Sequence, residues 1–249
     1  MGSGARMPKS IIKIEDLNYA YPDGNIVLEG INLDIFEGEA LGIIGPNGAG
    51  KTTLLLHFNG LLNGNGKEKI KILGLEINNK NLREIRQAVG FVFQDPEDQL
   101  FMPTVYEDVS FGPANLGWDG DTVKEQTQKA LEEVGLFDKA DHLSHHLSLG
   151  EKKKVSIATV LSMKPEILVL DEPSANLDPA ARRHLIDLLK RLSVTKIIAG
   201  HDLELILELC NRVVVLDKGK IVADGDTRAI LSNPSLMEQH SLEIPLSLK

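Results

Sequence analysis

Gly45-Pro46-Asn47-Gly48-Ala49-Gly50-Lys51-Thr52 satisfies the pattern G-x-x-x-x-G-K-[ST] at every fixed position. A short, continuously apolar stretch (40–45) precedes it and reads as a strand buried on both faces of a sheet. A helix is expected over 51–62. Strand, glycine loop and helix are the context this pattern requires. Glycines at 45, 48 and 50 let the backbone turn tightly, so that several N–H groups point into one concavity. A helix starting near Lys51 aims its positive end at the same place. Lys51 adds a mobile cation for the β- and γ-phosphates, and the Thr52 hydroxyl can ligate Mg2+. The loop, with Thr53 just beyond it, is therefore expected to bind ATP with Mg2+.

Outward from the loop, the pattern is that of an α/β chain. Strands are expected at 11–17 and 26–36, with turn chemistry at Tyr21-Pro22-Asp23-Gly24-Asn25 between them. Further strands fall at 69–73 and 89–93. The stretch 95–163 is mostly helical signal, over 104–111, 122–134 and 148–163, and reads as a helical subdomain inserted into the core. The core then resumes with strands at 167–170, 196–199, 212–216 and 220–223 and helices at 179–192 and 203–210. The expected fold is that of a P-loop NTPase, with a parallel-sheet core, an N-terminal antiparallel β subdomain and the helical insert. Residues 1–10 read as a cloning remnant and start, with a natural beginning near Met7. Residues 11–235 form the ATPase domain, and 236–249 a short tail.

The chain has 249 residues, with 27 basic and 36 acidic side chains and a net charge of −9. That balance argues against nucleic acid as a partner. The single cysteine, Cys210, excludes an internal disulfide; it lies among Leu203, Ile206, Leu207 and Leu209 and reads as a buried, inert thiol. No apolar run reaches the ~18 residues of a membrane span, so work at a membrane requires docking on something else.

A second constellation closes the strand at 167–170, where Asp171 and Glu172 follow its last apolar residue. Strand ends in such sheets form the ligand crevice. Asp171 is placed to hold the magnesium shell, and Glu172 to polarise an attacking water. Asp178-Pro179 is a better cap for the next helix than either carboxylate.

With these residues in one order, the chain resembles the nucleotide-binding subunits of ABC transporters. Gln94 follows an apolar strand, as that family's magnesium- and water-contacting glutamine does. Ser174-Ala175-Asn176-Leu177-Asp178 matches the loop after the family's catalytic glutamate. His201 matches the histidine that touches the γ-phosphate. Tyr21 sits where the family stacks an aromatic on adenine, with Tyr19 a rival for that role. Ser148 lies 97 residues after Lys51, Asp171 lies 23 after Ser148, and His201 lies 30 after Asp171. The resemblance implies ATP hydrolysis with Glu172, His201 and Gln94 as catalytic residues and Thr52, Gln94 and Asp171 around Mg2+. It also implies a dimer in which Ser148 and Gly150 reach the γ-phosphate held by a second copy or close homologue.

The family signature Leu-Ser-Gly-Gly-Gln stands here as Leu147-Ser148-Leu149-Gly150-Glu151. Ser148 and Glu151 have the form of a helix capping box, and Lys152, Lys153 and Lys154 follow to offset the extra charge. A working signature is expected. The opposing reading is that Leu149, lacking the φ > 0 freedom of glycine, stiffens the loop. Asp141, His142, His145 and His146 invite a metal-site reading beside the blander one of a solvated loop.

After Gln94 the sequence runs Asp95-Pro96-Glu97-Asp98-Gln99-Leu100-Phe101-Met102-Pro103-Thr104-Val105 and on to Phe111. It resembles the branch serving energy-coupling-factor importers, including the cobalt and nickel systems. In that branch the surface around 100–111 receives helices of an integral membrane coupling subunit; Leu100, Phe101, Met102 and Val105 suit helix-in-groove docking, with simple packing of the helical subdomain the alternative for some of them. The implied location is the cytoplasmic face of the membrane, as a peripheral subunit; the short end with Ile244-Pro245-Leu246-Ser247-Leu248 is read toward a metal-ion importer, with cobalt or nickel as the expected cargo. The rival classes are a soluble ABC ATPase, for example in cluster assembly, and a small-molecule phosphotransferase, which would have no use for the signature.

Overall fold

The computed structural model describes residues 9–62 and 69–249. The expected leader, all but its last two residues, and residues 63–68 lie outside them.

Six strands build the central sheet: β3 (Ala40–Ile44), β6 (Val89–Val92), β7 (Ile167–Asp171), β8 (Thr195–Ala199), β9 (Arg212–Asp217) and β10 (Lys220–Asp226). Their order is β10-β9-β3-β8-β7-β6. All neighbours pair in parallel except β10, which closes the edge antiparallel to β9. The four inner strands are apolar at consecutive positions because both faces are covered. Leu41 and Ile43, Ile167 and Val169, Ile197 and Ala199, and Val214 and Leu216 face one core. Leu168, Leu170, Ile198, Val213 and Val215, in the alternate positions, face the other.

The first core is closed by α1 (Lys51–Phe58) and by a second sheet of order β2-β1-β4-β5. That sheet is antiparallel throughout and consists of β1 (Ser10–Ala20), β2 (Ile26–Phe36), β4 (Lys69–Ile72) and β5 (Leu75–Glu76). Leu54, Leu55 and Phe58 of α1 pack there against Ile12, Ile14 and Leu33. The helix stops at Phe58, four residues short of expectation. Gly60 takes φ 68°, and Leu61 N–H bonds back to Leu56 O at 3.1 Å, which turns the chain out of the helix.

The second core is closed by α5 (Leu149–Leu161), α6 (Pro179–Arg191) and α7 (Leu203–Leu209), with α3 (Val105–Asn115) and α4 (Gly120–Glu133) beyond α5. The helical insert is as expected, but α3 runs four residues further, straight through Pro113. Proline cannot donate to the carbonyl four residues back. The Ser162 hydroxyl donates to that carbonyl, Val109 O, at 2.9 Å, so the helix continues without an orphaned acceptor. Three short helices were not anticipated: α2 (Leu82–Ala88), α8 (Thr227–Leu231) and α9 (Pro234–Gln239). Among the described residues no helix is long and apolar enough to cross a membrane.

Candidate active site

The loop between β3 and α1 bends around a cavity of about 330 Å³, lined by Asn47 to Thr53 together with Asn25, Val27, Gln94 and Glu172. Two of its glycines are fixed by close approach. A Cβ on Gly45 would stand 2.0 Å from Leu216 O, and one on Gly50 3.0 Å from Val27 O, both at positive φ. Gly50 is also the N-cap of α1 and offers no side chain to the first turn, so the helix N–H groups stay open toward the cavity. Lys51 is buried, and its ammonium folds back onto Gly45 O (2.8 Å) and Pro46 O (3.1 Å). Burial lowers its pKa from the ordinary lysine value, while Glu172 and Asp171 pull the other way.

β7 ends directly behind this loop. Asp171 Oδ2 accepts the Thr52 hydroxyl at 2.7 Å, which joins the loop to the strand end. Its other oxygen, Oδ1, is buried with no hydrogen-bond partner. Burial pushes the Asp171 carboxyl above its usual pKa, against the Thr52 hydrogen bond. Glu172 leaves the strand at φ 45°, a conformation that costs a non-glycine residue about 1–3 kcal/mol and persists where surroundings impose it. Here Glu172 N–H is held by Ala199 O at 2.9 Å. Glu172 Oε2 lies 2.7 Å from His201 Nδ1 and accepts His201 N–H at 3.2 Å. Gly200 makes room, since a Cβ there would sit 3.3 Å from Glu172 Oε2. Asp202 caps α7 through Leu205 N–H and takes a bidentate pair from Arg182 (2.6 and 2.7 Å), which anchors the His201 turn.

A second cavity of about 430 Å³ shares no lining residue with the first. Ser148, Gly150, Glu151 and Asp178 line it, with Lys139, Lys154 and His184. Ser148 caps α5, and both halves of the capping box form: Ser148 N–H donates to Glu151 Oε2 at 2.9 Å, and Glu151 N–H to Ser148 Oγ at 3.4 Å. Asp178 caps α6 by accepting Ala181 N–H at 2.9 Å. Gly150 lets α5 and α6 approach closely, because a Cβ would meet Ala181 Cβ at 2.9 Å.

The family model described as ABC transporter matches residues 28–175, more than half of the chain. The energy-coupling factor transporter ATP-binding protein EcfA of Carboxydothermus hydrogenoformans is 47% identical over 241 residues, covering 96% of this chain and 88% of that protein. The solved structure of cbiO1 from Clostridium perfringens, part of the ABC transporter complex cbiONQ, is 38% identical with TM-score 0.82, covering 92% of this chain and 94% of that one. A dimeric, post-hydrolysis structure of the ATP-binding cassette MJ0796 with ADP and Pi is 26% identical with TM-score 0.78, covering 87% and 98%. The chain belongs to the ABC transporter family.

As an ABC ATPase, the chain gathers most of the residues expected from sequence but not all of them in one place. Asn47, Gly48, Ala49, Gly50, Lys51, Thr52, Thr53, Gln94 and Glu172 line the first cavity. Gly45 and Pro46 lie behind it as acceptors for Lys51, Asp171 behind Thr52, and His201 on Glu172. Tyr21 does not line the cavity; its hydroxyl lies 3.1 Å from Thr53 Oγ1, at the edge. Tyr19 is buried edge-on between Tyr21 (5.1 Å) and His57 (4.9 Å), which removes it as a free stacking surface. Ser148, Gly150 and Asp178 stand apart in the second cavity.

One sequence expectation is corrected and another is narrowed. The three lysines after Glu151 do not jointly offset its charge: Lys152 pairs with Glu97, and Lys153 is buried, donating to Gln94 O (2.6 Å) and Glu172 O (3.3 Å). The neighbour on Glu151 is Lys139, whose ammonium meets Glu151 Oε1. In the expected docking segment, Leu100 and Val105 belong to the core, whereas Phe101 (63% exposed) and Phe111 (43%) stack edge to face at 4.9 Å on the surface. Leu149, for its part, sits in the first turn of α5 without positive φ, so its backbone makes no demand that only glycine meets. Reasoning from sequence missed Asn25, Val27, Lys139, Lys153 and Arg182; only the Lys run gave a signal, and it does not say which lysine turns inward.

Proposed function

We propose that this chain hydrolyses MgATP as one half of a two-subunit sandwich that drives an energy-coupling-factor importer, with cobalt or nickel ion as cargo. The observation that carries the reading is the convergence on one cavity of an open helix N-terminus, Lys51 and the Glu172–His201 pair, 2.7 Å apart. The loop N–H groups and Lys51 take the phosphates, Lys51 exchanging its carbonyl contacts for phosphate oxygens. Tyr21 covers the adenine from the edge. Glu172 takes the proton of a water attacking the γ-phosphorus, ADP leaves, and His201 holds the Glu172 carboxylate in place. Magnesium fits these residues, because the buried Asp171 Oδ1 lacks a partner and the Thr52 hydroxyl sits on Oδ2. Thr52, Asp171 and Gln94 would hold the cation, which would neutralise charge on the transferring phosphoryl group.

The two-subunit reading is supported by the separation of Ser148, Gly150 and Asp178 from the phosphate loop, and by the likeness to a dimeric cassette. In it, Ser148 and Gly150 of each chain approach the γ-phosphate on the other. The importer reading is supported by the exposed Phe101–Phe111 pair, a seat for a membrane subunit that holds the chain at the cytoplasmic face, and by the likeness to EcfA and cbiO1. The cargo reading rests on the sequence after Gln94. Glu172→Gln tests the chemistry: ATP binding persists, turnover falls by about 10²–10⁴, and ATP-loaded dimers accumulate on gel filtration. Undiminished turnover overturns the assignment. Cobalt or nickel uptake by cells with and without the chain tests the cargo.

A further inference from the structure

We propose that Lys139 is a positioning residue of the reaction: it neutralises Glu151 in the second cavity, so that the phosphates of the partner-held nucleotide can close on Ser148. The proposal rests on the two-subunit reading above.

Glu151 is a carboxylate where an anion has to arrive. It lines the cavity with Ser148 and Gly150, beside the carboxylates of Asp138 and Asp178. Its Oε2 accepts both the N–H of Ser148 (2.9 Å) and the Ser148 hydroxyl (3.0 Å). The same oxygen that shapes the start of α5 therefore holds the hydroxyl proton that a phosphate oxygen would need. An uncompensated carboxylate would repel the phosphate and compete for that proton, and like charges brought together at an interface cost several-fold or more in affinity. Protonation offers no escape, because the Lys139 ammonium and the Ser148 N–H hold the Glu151 carboxyl down at about 2.

Compensation has to come from a cation on the free oxygen. Lys152 is committed to Glu97, and Lys153 to two backbone carbonyls beneath the first site, while Lys154 lines the cavity but does not pair with Glu151. Lys139 comes from a separate turn, Phe137–Lys139, and closes on Glu151 Oε1, leaving Oε2 for the capping box. The pair is about two-thirds buried, at 31% and 27% exposure, so solvent screens it only in part. A glutamine at 151 would keep the capping acceptor without the charge, and Lys139 would lose the carboxylate it pairs with.

The test is a double-mutant cycle in steady-state ATPase turnover with Lys139→Met, Glu151→Gln and the double variant. Lys139→Met is expected to lower kcat about tenfold with Glu151 present and less than about twofold in the Glu151→Gln background. Lys139→Arg, which keeps the charge, retains turnover. Equal losses in both backgrounds, as a lysine that merely anchors the turn would give, overturn the proposal; so does a Lys139→Met protein with unimpaired turnover. A parallel measurement separates this proposal from the reading beneath it. Glu172→Gln should form ATP-dependent dimers, and adding Lys139→Met should weaken them about tenfold. Absence of the Glu172→Gln dimer strikes the two-subunit reading and this proposal with it. A dimer indifferent to Lys139→Met strikes this proposal alone.

Discussion

Replacing Lys153 with methionine separates stability from catalysis, because the fold should barely respond while turnover should fall. Lys153 is 3% exposed on α5 and donates to Gln94 O at 2.6 Å and Glu172 O at 3.3 Å. Burial lowers its pKa, with Asp95, Glu172 and Asp171 opposing the shift. Methionine has nearly the same length and removes the buried charge, relieving a desolvation cost of about several kcal/mol. Against this, Gln94 O loses a charge-assisted hydrogen bond, and a buried acceptor left unpaired costs about 1–3 kcal/mol. Glu172 O keeps its bond from Ala175 N–H at 3.1 Å. The two terms nearly cancel, so the midpoint of urea unfolding should move by no more than about 1 kcal/mol in either direction. Turnover should not escape. Lys153 is the strut by which α5, carrying the signature residues at its start, grips the backbone at both Gln94 and Glu172. Loosening that strut misplaces two site residues at once, and kcat is expected to fall about tenfold or more with KM little changed. A variant destabilised by more than about 3 kcal/mol would show that the ammonium is a net stabiliser, and one with unaltered kcat would show that the strut positions nothing.

Ser162→Ala removes the donor to Val109 O and should destabilise the fold by about 1–3 kcal/mol; in a Pro113→Ala background, where the helix supplies its own N–H, the loss should shrink, as chemical denaturation will report. Glu151 contributes pH-dependent stability. Its folded pKa, about 2, lies below its ordinary 4.5, so the contribution is complete above the unfolded value and disappears as pH falls toward 2. Wild type should lose on the order of 1 kcal/mol more than Glu151→Gln over that interval, the discount reflecting partial exposure. Phe101→Ser with Phe111→Ser should leave the fold intact, since both rings are at the surface, and release the chain from membranes carrying the coupling subunit, as co-sedimentation will show.

The central architecture was legible because it is written in local patterns. Consecutive apolar residues at 41–44, 167–170 and 213–216 require cover on both faces of a sheet, and the glycine loop between strand and helix has few alternative readings. What escaped was decided by contacts across long sequence separations. Pro113 ends a helix on paper, and only Ser162, 49 residues on, allows it to continue. Val105 and Leu100 are as apolar as Phe101, and nothing in their order says which two the core takes. Lys152, Lys153 and Lys154 look equivalent in sequence, yet helical geometry turns the middle one inward and leaves Glu151 to Lys139. The positive φ of Glu172 has no sequence signature; it follows from the bond of its N–H to Ala199 O and the fit of its carboxylate against Gly200 and His201. α2, α8 and α9 are too short for periodicity to declare them.

The most direct test of the account is complementation between two crippled chains. Lys51→Ala disables the phosphate loop, and Ser148→Arg fills the second cavity. Each chain alone should be inactive. Mixed in equal amounts, half of the dimers pair one chain of each kind. Such a dimer has one intact site, formed by the loop of the Ser148→Arg chain and the signature of the Lys51→Ala chain. Turnover should therefore return to about a quarter of wild type if pairing is random and the sites are independent. A mixture that stays inactive, or a Ser148→Arg chain that hydrolyses ATP on its own, would contradict a site shared between two chains.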